Sequence, residues 1–137
     1  MSIAVRYYSK SGHTELIARK IAEAVGVEAQ PIDVPLEQNV DLLFLGGAPY
    51  AFHLAQPLRQ FIEHLQPSQV KAVAAFSTSG SPLGASGLIH KECEKAGLTV
   101  LPEEFHCTGA SASSPKQMDA AMQFARQVAT AAAEPDA

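Results

Sequence analysis

The sequence has no cluster of basic residues: its ten lysines and arginines are scattered through 137 residues with a net charge of −4. Neutralising a nucleic-acid backbone needs a contiguous basic face, so no nucleic-acid partner is expected. No apolar run approaches the length of a membrane span, and the N-terminus lacks a secretory-leader pattern. A cytoplasmic protein with no membrane association is therefore expected. Cysteine is scarce: Cys93 and Cys107 stand apart, without C-x-x-C or metal-ligand spacing. Reduced thiols and no metal centre follow as expectations. There is no internal repeat and no long linker, and only the Ala-rich tail after Thr130 reads as a fraying end. A hydrophobic share of 47% against 18% charged suits a globular protein, with residues 1–137 expected as a single domain.

What is present is a strict alternation. Ile3 to Tyr8 is short, apolar and β-friendly. Helical periodicity follows, with Ile17, Ala18, Ile21, Ala22 and Val25 on one face and Gly26 as the C-terminal stop. Val27 to Val34 reads as a second strand, placed at a sheet edge because Pro31 removes a ladder donor. Asp41 to Gly46 is an almost unbroken apolar run, as in a strand covered on both faces. Pro57 suits a first helical position ahead of the stripe Leu58, Phe61, Ile62 and Leu65. Val70 to Phe76 is the next strand, Ser86 to Ala96 the next helix, and Thr99 to Phe105 the last strand. Ser114 caps a final helix that starts at Pro115 and buries Met118, Ala121, Met122, Ala125 and Val128.

Such alternation requires right-handed crossovers and a parallel sheet. For five strands the doubly wound order 2-1-3-4-5, with helices on both faces, puts the Pro31 strand at an edge. Ligands then bind beyond the carboxyl ends of the strands, at the switch point between the first and third. The functional loops are expected at Ser9 to Thr14, Gly47 to Gln56, Ser77 to Ser86 and His106 to Ser114.

The segment Ser9-Lys10-Ser11-Gly12-His13-Thr14 lies at that switch point and opens the first helix. Free amides and the helix dipole attract an anion, three hydroxyls add donors, and Gly12 lets backbone approach closely. One Ser or Thr would suffice for capping alone. A phosphate monoester is the ligand that these residues suit. Neither G-x-x-x-x-G-K-[ST] nor G-x-G-x-x-G occurs, so ATP and dinucleotides lose support. Other chemistries are missing too. Tyr8 and Ser9 stand where a response regulator would carry an acidic pair, the first loop has no phosphatase cysteine, and no Ser-His-Asp set has recognisable context. No catalytic side chain is therefore assigned.

Val5 to Ile21 resembles the flavodoxin signature, matching it at Val5, Tyr7, Ser9, Gly12, Thr14, Ala18 and Ile21 and departing at Arg6. The stretches "LLFLGGAPYAFHLAQPLRQFI", "VAAFSTSGSPLG" and "EEFHCTG" extend the resemblance to small bacterial flavodoxin-like proteins over nearly the whole chain. The resemblance implies a flavodoxin-like fold and FMN, with the phosphate on Ser9, Lys10, Ser11, Gly12, His13 and Thr14. It implies that the loop with Pro49, Tyr50, Ala51 and Phe52 covers one flavin face, Tyr50 or Phe52 stacking on the ring. It further implies that backbone amides of Ser77, Thr78, Ser79, Gly80 and Ser81 meet the pyrimidine edge. That loop lacks the aromatic residue many flavodoxins place there.

The implied function is FMN-dependent electron transfer, with redox partner proteins such as a flavodoxin reductase. The alternative is a small NAD(P)H-dependent FMN reductase acting on quinones. Such relatives need longer loops to hold nicotinamide over the flavin, so the carrier leads. Arg6, odd in a central strand, is expected to pair with Asp33 or Asp41. His13, His53 and His106 fall at carboxyl-end loops without metal spacing, and both cysteines read as inert buried thiols.

Overall fold

Five segments of the chain meet as neighbouring parallel strands, each fed by the apolar runs that the sequence supplies. The computed structural model describes residues 1–50, 53–80 and 84–133. In chain order the elements are β1 (Ile3–Tyr7), α1 (His13–Val25), β2 (Ala29–Pro31), β3 (Val40–Gly47), β4 (Pro49–Tyr50) and β5 (His53–Leu54). There follow α2 (Gln56–His64), β6 (Val70–Ser79), α3 (Ser86–Lys95), β7 (Val100–Thr108), a 3-10 turn (Gly109–Ser111) and α4 (Pro115–Ala133).

The main sheet has the order β2-β1-β3-β6-β7, with every pair parallel. This is the expected doubly wound order, because β4 and β5 form a separate antiparallel hairpin. The edge strand β2 is only three residues long and ends at Pro31, opposite Tyr7. The missing Pro31 N–H falls on the open side of this edge strand, and the next amide, Ile32, still donates to the Tyr7 carbonyl at 3.0 Å.

Alternation along the strands sorts the core into two layers. Val5, Tyr7, Leu42, Phe44, Ala74, Phe76, Phe105 and Cys107 face α1 and α4. Leu43, Leu45, Val73 and Ala75 face α2 and α3, packing on Leu58, Ile62, Ile89 and Cys93. Helices therefore cover both faces. Fully buried side chains such as Phe44 and Phe76 each contribute roughly 1.5–3 kcal/mol. Gly46 is a glycine for want of space: a Cβ there would overlap the Phe76 ring in the neighbouring strand.

Several boundaries differ from expectation. β6 and β7 run on to Ser79 and Thr108, so Ser77, Thr78, Ser79, His106 and Cys107 are strand residues rather than loop residues. Their polar side chains read as loop, but the ladder pairs Ser77 with His106, Thr78 with Cys107 and Ser79 with Thr108. Pro57 is the second residue of α2, after Gln56. α4 continues to Ala133, past the expected fraying point, and its buried face is Ala121, Phe124, Ala125 and Val128. Met118 and Met122 are only half-buried, whereas Phe124 packs against Phe44 and Phe105. Gly26 ends α1 as expected, with φ 76° and its amide turned back to Ala22 and Glu23.

Arg6 pairs with neither Asp33 nor Asp41. Its guanidinium donates to the carbonyls of Val34 (2.8 Å), Val5 (3.1 Å) and Pro35 (3.2 Å). The segment after β2 is irregular and carries Pro35, which has no N–H, so its carbonyls need donors that the backbone does not supply. Burial lowers the Arg6 pKa, and nearby Glu37 opposes that shift. Asp41 instead accepts from the Ser2 amide (2.9 Å) and pairs with Lys71 (3.2 Å).

Candidate functional site

At the carboxyl end of β1 the chain turns through Ser9 to Gly12 into α1. The turn depends on Gly12, which has φ 91° and no heavy atom within 4 Å of where a Cβ would sit. L-residues resist this left-handed conformation; glycine does not. Ser9 Oγ accepts from the Gly12 amide at 3.0 Å, closing the turn. No side chain caps α1, so its opening amides carry the positive end of the helix dipole toward the crevice.

The three hydroxyls of this loop do different things. Ser9 uses a lone pair on Gly12, which leaves its own proton for a ligand. Ser11 Oγ lies 3.2 Å from His13 Nδ1. Thr14 is buried and lies 2.7 Å from Thr78 Oγ1, so it serves chiefly to join the loop to β6. The His13 ring also packs against the 3-10 turn, where a Cβ on Gly109 would overlap it.

Tyr50, in β4, leans over the same loop. Its ring lies 4.4 Å from the Lys10 ammonium. Burial, the larger influence, raises the Tyr50 pKa, and the nearby Lys10 backbone opposes that shift. Tyr8 meets Tyr50 edge-on at 6.2 Å. Pro49 is half-buried in the same hairpin, and Ala51 and Phe52 lie outside the described residues.

On the other side of the crevice β6 outruns β3. Gly47 pairs with Ser77, after which Thr78 and Ser79 have strand partners on the β7 side. Gly80 follows the strand, and Ser81 lies outside the described residues. The side chains of Ser77 and Ser79 turn to His106, on the α2/α3 face. Thr78 alone of the three turns to α1.

The structure thus gathers Ser9 to Thr14, Tyr50 and Thr78 around one crevice at the switch point. Sequence reasoning missed Tyr8, the Thr14–Thr78 tie and the His106 contacts. Only strand alternation carried any signal for them: Thr78 falls on the α1 face, Ser77 and Ser79 on the other. His53 is exposed in β5. Cys107 is buried and its pKa raised by that burial, with Ser111 opposing; Cys93 lies in the core with its thiol pushed up to about 12. Among the described residues no group of His, Cys, Asp and Glu could hold a metal ion. Among them, too, no helix is long and apolar enough to cross a membrane.

No family model matches the sequence, and no curated protein matches it significantly. Solved structures do resemble it. A flavodoxin from the domain Archaea superposes with a TM-score of 0.78 at 18% identity, covering 98% of this chain and 100% of that one. Oxidised Flavodoxin 1 from Bacillus cereus gives 0.77 at 18% identity, over 95% and 98%. Rubredoxin oxygen:oxidoreductase from Desulfovibrio gigas gives 0.75 at 16% identity, over 95% of this chain but 35% of that one. The chain has the flavodoxin-like fold.

Proposed function

We propose that this protein binds FMN and carries electrons between partner proteins in the cytoplasm. The observation that carries this reading is the uncapped start of α1, turned by Gly12 at the switch point and faced by Tyr50 and Thr78. The residues fit the cofactor. A terminal phosphate suits the open amides of His13 and Thr14, the spare proton of Ser9, the exposed Ser11 hydroxyl and the Lys10 ammonium. A bridging pyrophosphate would have to extend past this closed turn, so FMN is favoured over FAD.

Bound flavin would supply the one- and two-electron chemistry. The side chains bind and orient it: Tyr50 offers an aromatic wall, and backbone past Thr78 offers amides for the ring's polar edge. The archaeal and Bacillus proteins of like fold are flavodoxins by name, which supports the same use here. The compact chain leaves little room for the longer loops that hold nicotinamide over a flavin, which favours a carrier over a quinone reductase. Oxidation of NADPH with a quinone should be slow with the isolated protein and rise sharply on adding a flavodoxin reductase. Fast turnover without the reductase would contradict the carrier role.

A further inference from the structure

The imidazole of His106 sits where β6, β7 and the start of α3 meet. Its Nδ1 lies 2.9 Å from Ser77 Oγ, and its Nε2 lies 3.5 Å from Ser79 Oγ. Ser77 Oγ in turn lies 3.3 Å from the hydroxyl of Ser86, the first residue of α3. Ser77, Ser79 and Ser86 are all buried. Gly84 packs directly on this cluster, since a Cβ there would overlap both His106 Nδ1 and Ser77 Oγ.

Residues 77 and 79 precede Gly80, whereas residues 84 and 86 close the same segment. One imidazole therefore touches both ends. Residues two apart on a strand face the same side about 6.5 Å from each other. His106 pairs with Ser77 in the ladder and presents two ring nitrogens in that interval. A neutral imidazole donates from one nitrogen and accepts at the other, and serine hydroxyls adapt to either arrangement. An apolar residue of similar size here would break that bridge while still filling the space against Gly84.

We propose that His106 is a positioning residue that clamps Gly84 and the start of α3 to the end of β6, fixing the amides that meet the flavin's polar edge. The clamp's role toward the ring rests on the FMN reading; the clamp itself does not. His106→Leu removes both nitrogens at similar bulk, and His106→Asn keeps a polar group within reach of Ser77. Hydrogen exchange of the Ile89 amide, which donates to the Ala85 carbonyl and closes the first turn of α3, should accelerate in the His106→Leu apoprotein and return toward native in His106→Asn. Riboflavin and FMN should both bind about tenfold more weakly to His106→Leu, by the same factor, with the Asn variant recovering most of it. Ser11→Ala, at the other end of the crevice, should weaken FMN more than riboflavin.

Unchanged exchange in His106→Leu would overturn the clamp. Faster exchange with both flavin affinities unchanged would overturn its role toward the ring. Should the native protein bind neither flavin, the FMN reading falls, and the exchange measurement still decides the clamp.

Discussion

Thr14 and Thr78 share a hydrogen bond of 2.7 Å between two buried side chains that lie 64 residues apart in sequence. It fastens the first turn of α1 to the end of β6, across the two sides of the crevice. Replacing either threonine by valine leaves the other hydroxyl buried without this partner, at a cost of roughly 1–3 kcal/mol. The double variant should cost less than the sum, by about 1 kcal/mol. Urea unfolding of the four proteins measures this, and strict additivity would mean that the bond contributes nothing.

Gly12 should tolerate asparagine better than alanine. Alanine meets no neighbour but must adopt φ 91°, which costs about 1–2 kcal/mol. Asparagine enters that region more readily. FMN affinity and unfolding midpoint should both rank Gly, then Asn, then Ala. Equal behaviour of the two variants would show that the turn relaxes without its left-handed residue.

Much of the framework was legible because apolar runs and punctuation residues act locally. Pro31 announced an edge strand, Gly26 a helix end, and Ser114 a cap, whose hydroxyl indeed accepts from Gln117 at 3.2 Å. The strand ends at Ser77–Ser79 and His106–Thr108 were not legible, since a hydroxyl-rich segment becomes strand only when its neighbour supplies the ladder. The Arg6 partners were hidden for a related reason. Charge suggested a carboxylate, whereas an irregular proline-containing segment offered carbonyls. In the crevice, the loop from Ser9 to Thr14 stood out by composition, but the tie from Thr14 to Thr78 depends on sheet order and face.

Arg6→Lys tests that carbonyl network. One ammonium keeps the charge but lacks the planar fork that reaches Val5, Val34 and Pro35 together. A loss of about 2–4 kcal/mol is expected, with faster amide exchange at Ile32 and Val34. Stability equal to the native protein would show that charge alone suffices.

Both thiols should be silent in the folded state. Burial, with Glu92 and Glu94 adding, pushes the Cys93 thiol from 9.0 up to about 12, and burial also raises Cys107. The fold prefers the protonated thiol. That contribution is complete below pH 9.0 and is lost as pH rises from there toward about 12. A disulfide reagent at pH 8 should label neither cysteine until denaturant is added, and stability should decline above pH 9. Prompt labelling of the native protein would contradict the buried placement.

The most direct measurement is a calorimetric titration of the apoprotein with FMN, riboflavin and FAD under one buffer. The proposed phosphate site predicts one FMN per chain, bound at least tenfold more tightly than riboflavin and more tightly than FAD, with Ser11→Ala and Gly12→Ala narrowing the gap to riboflavin. Equal affinity for FMN and riboflavin, or no flavin binding at all, would contradict it.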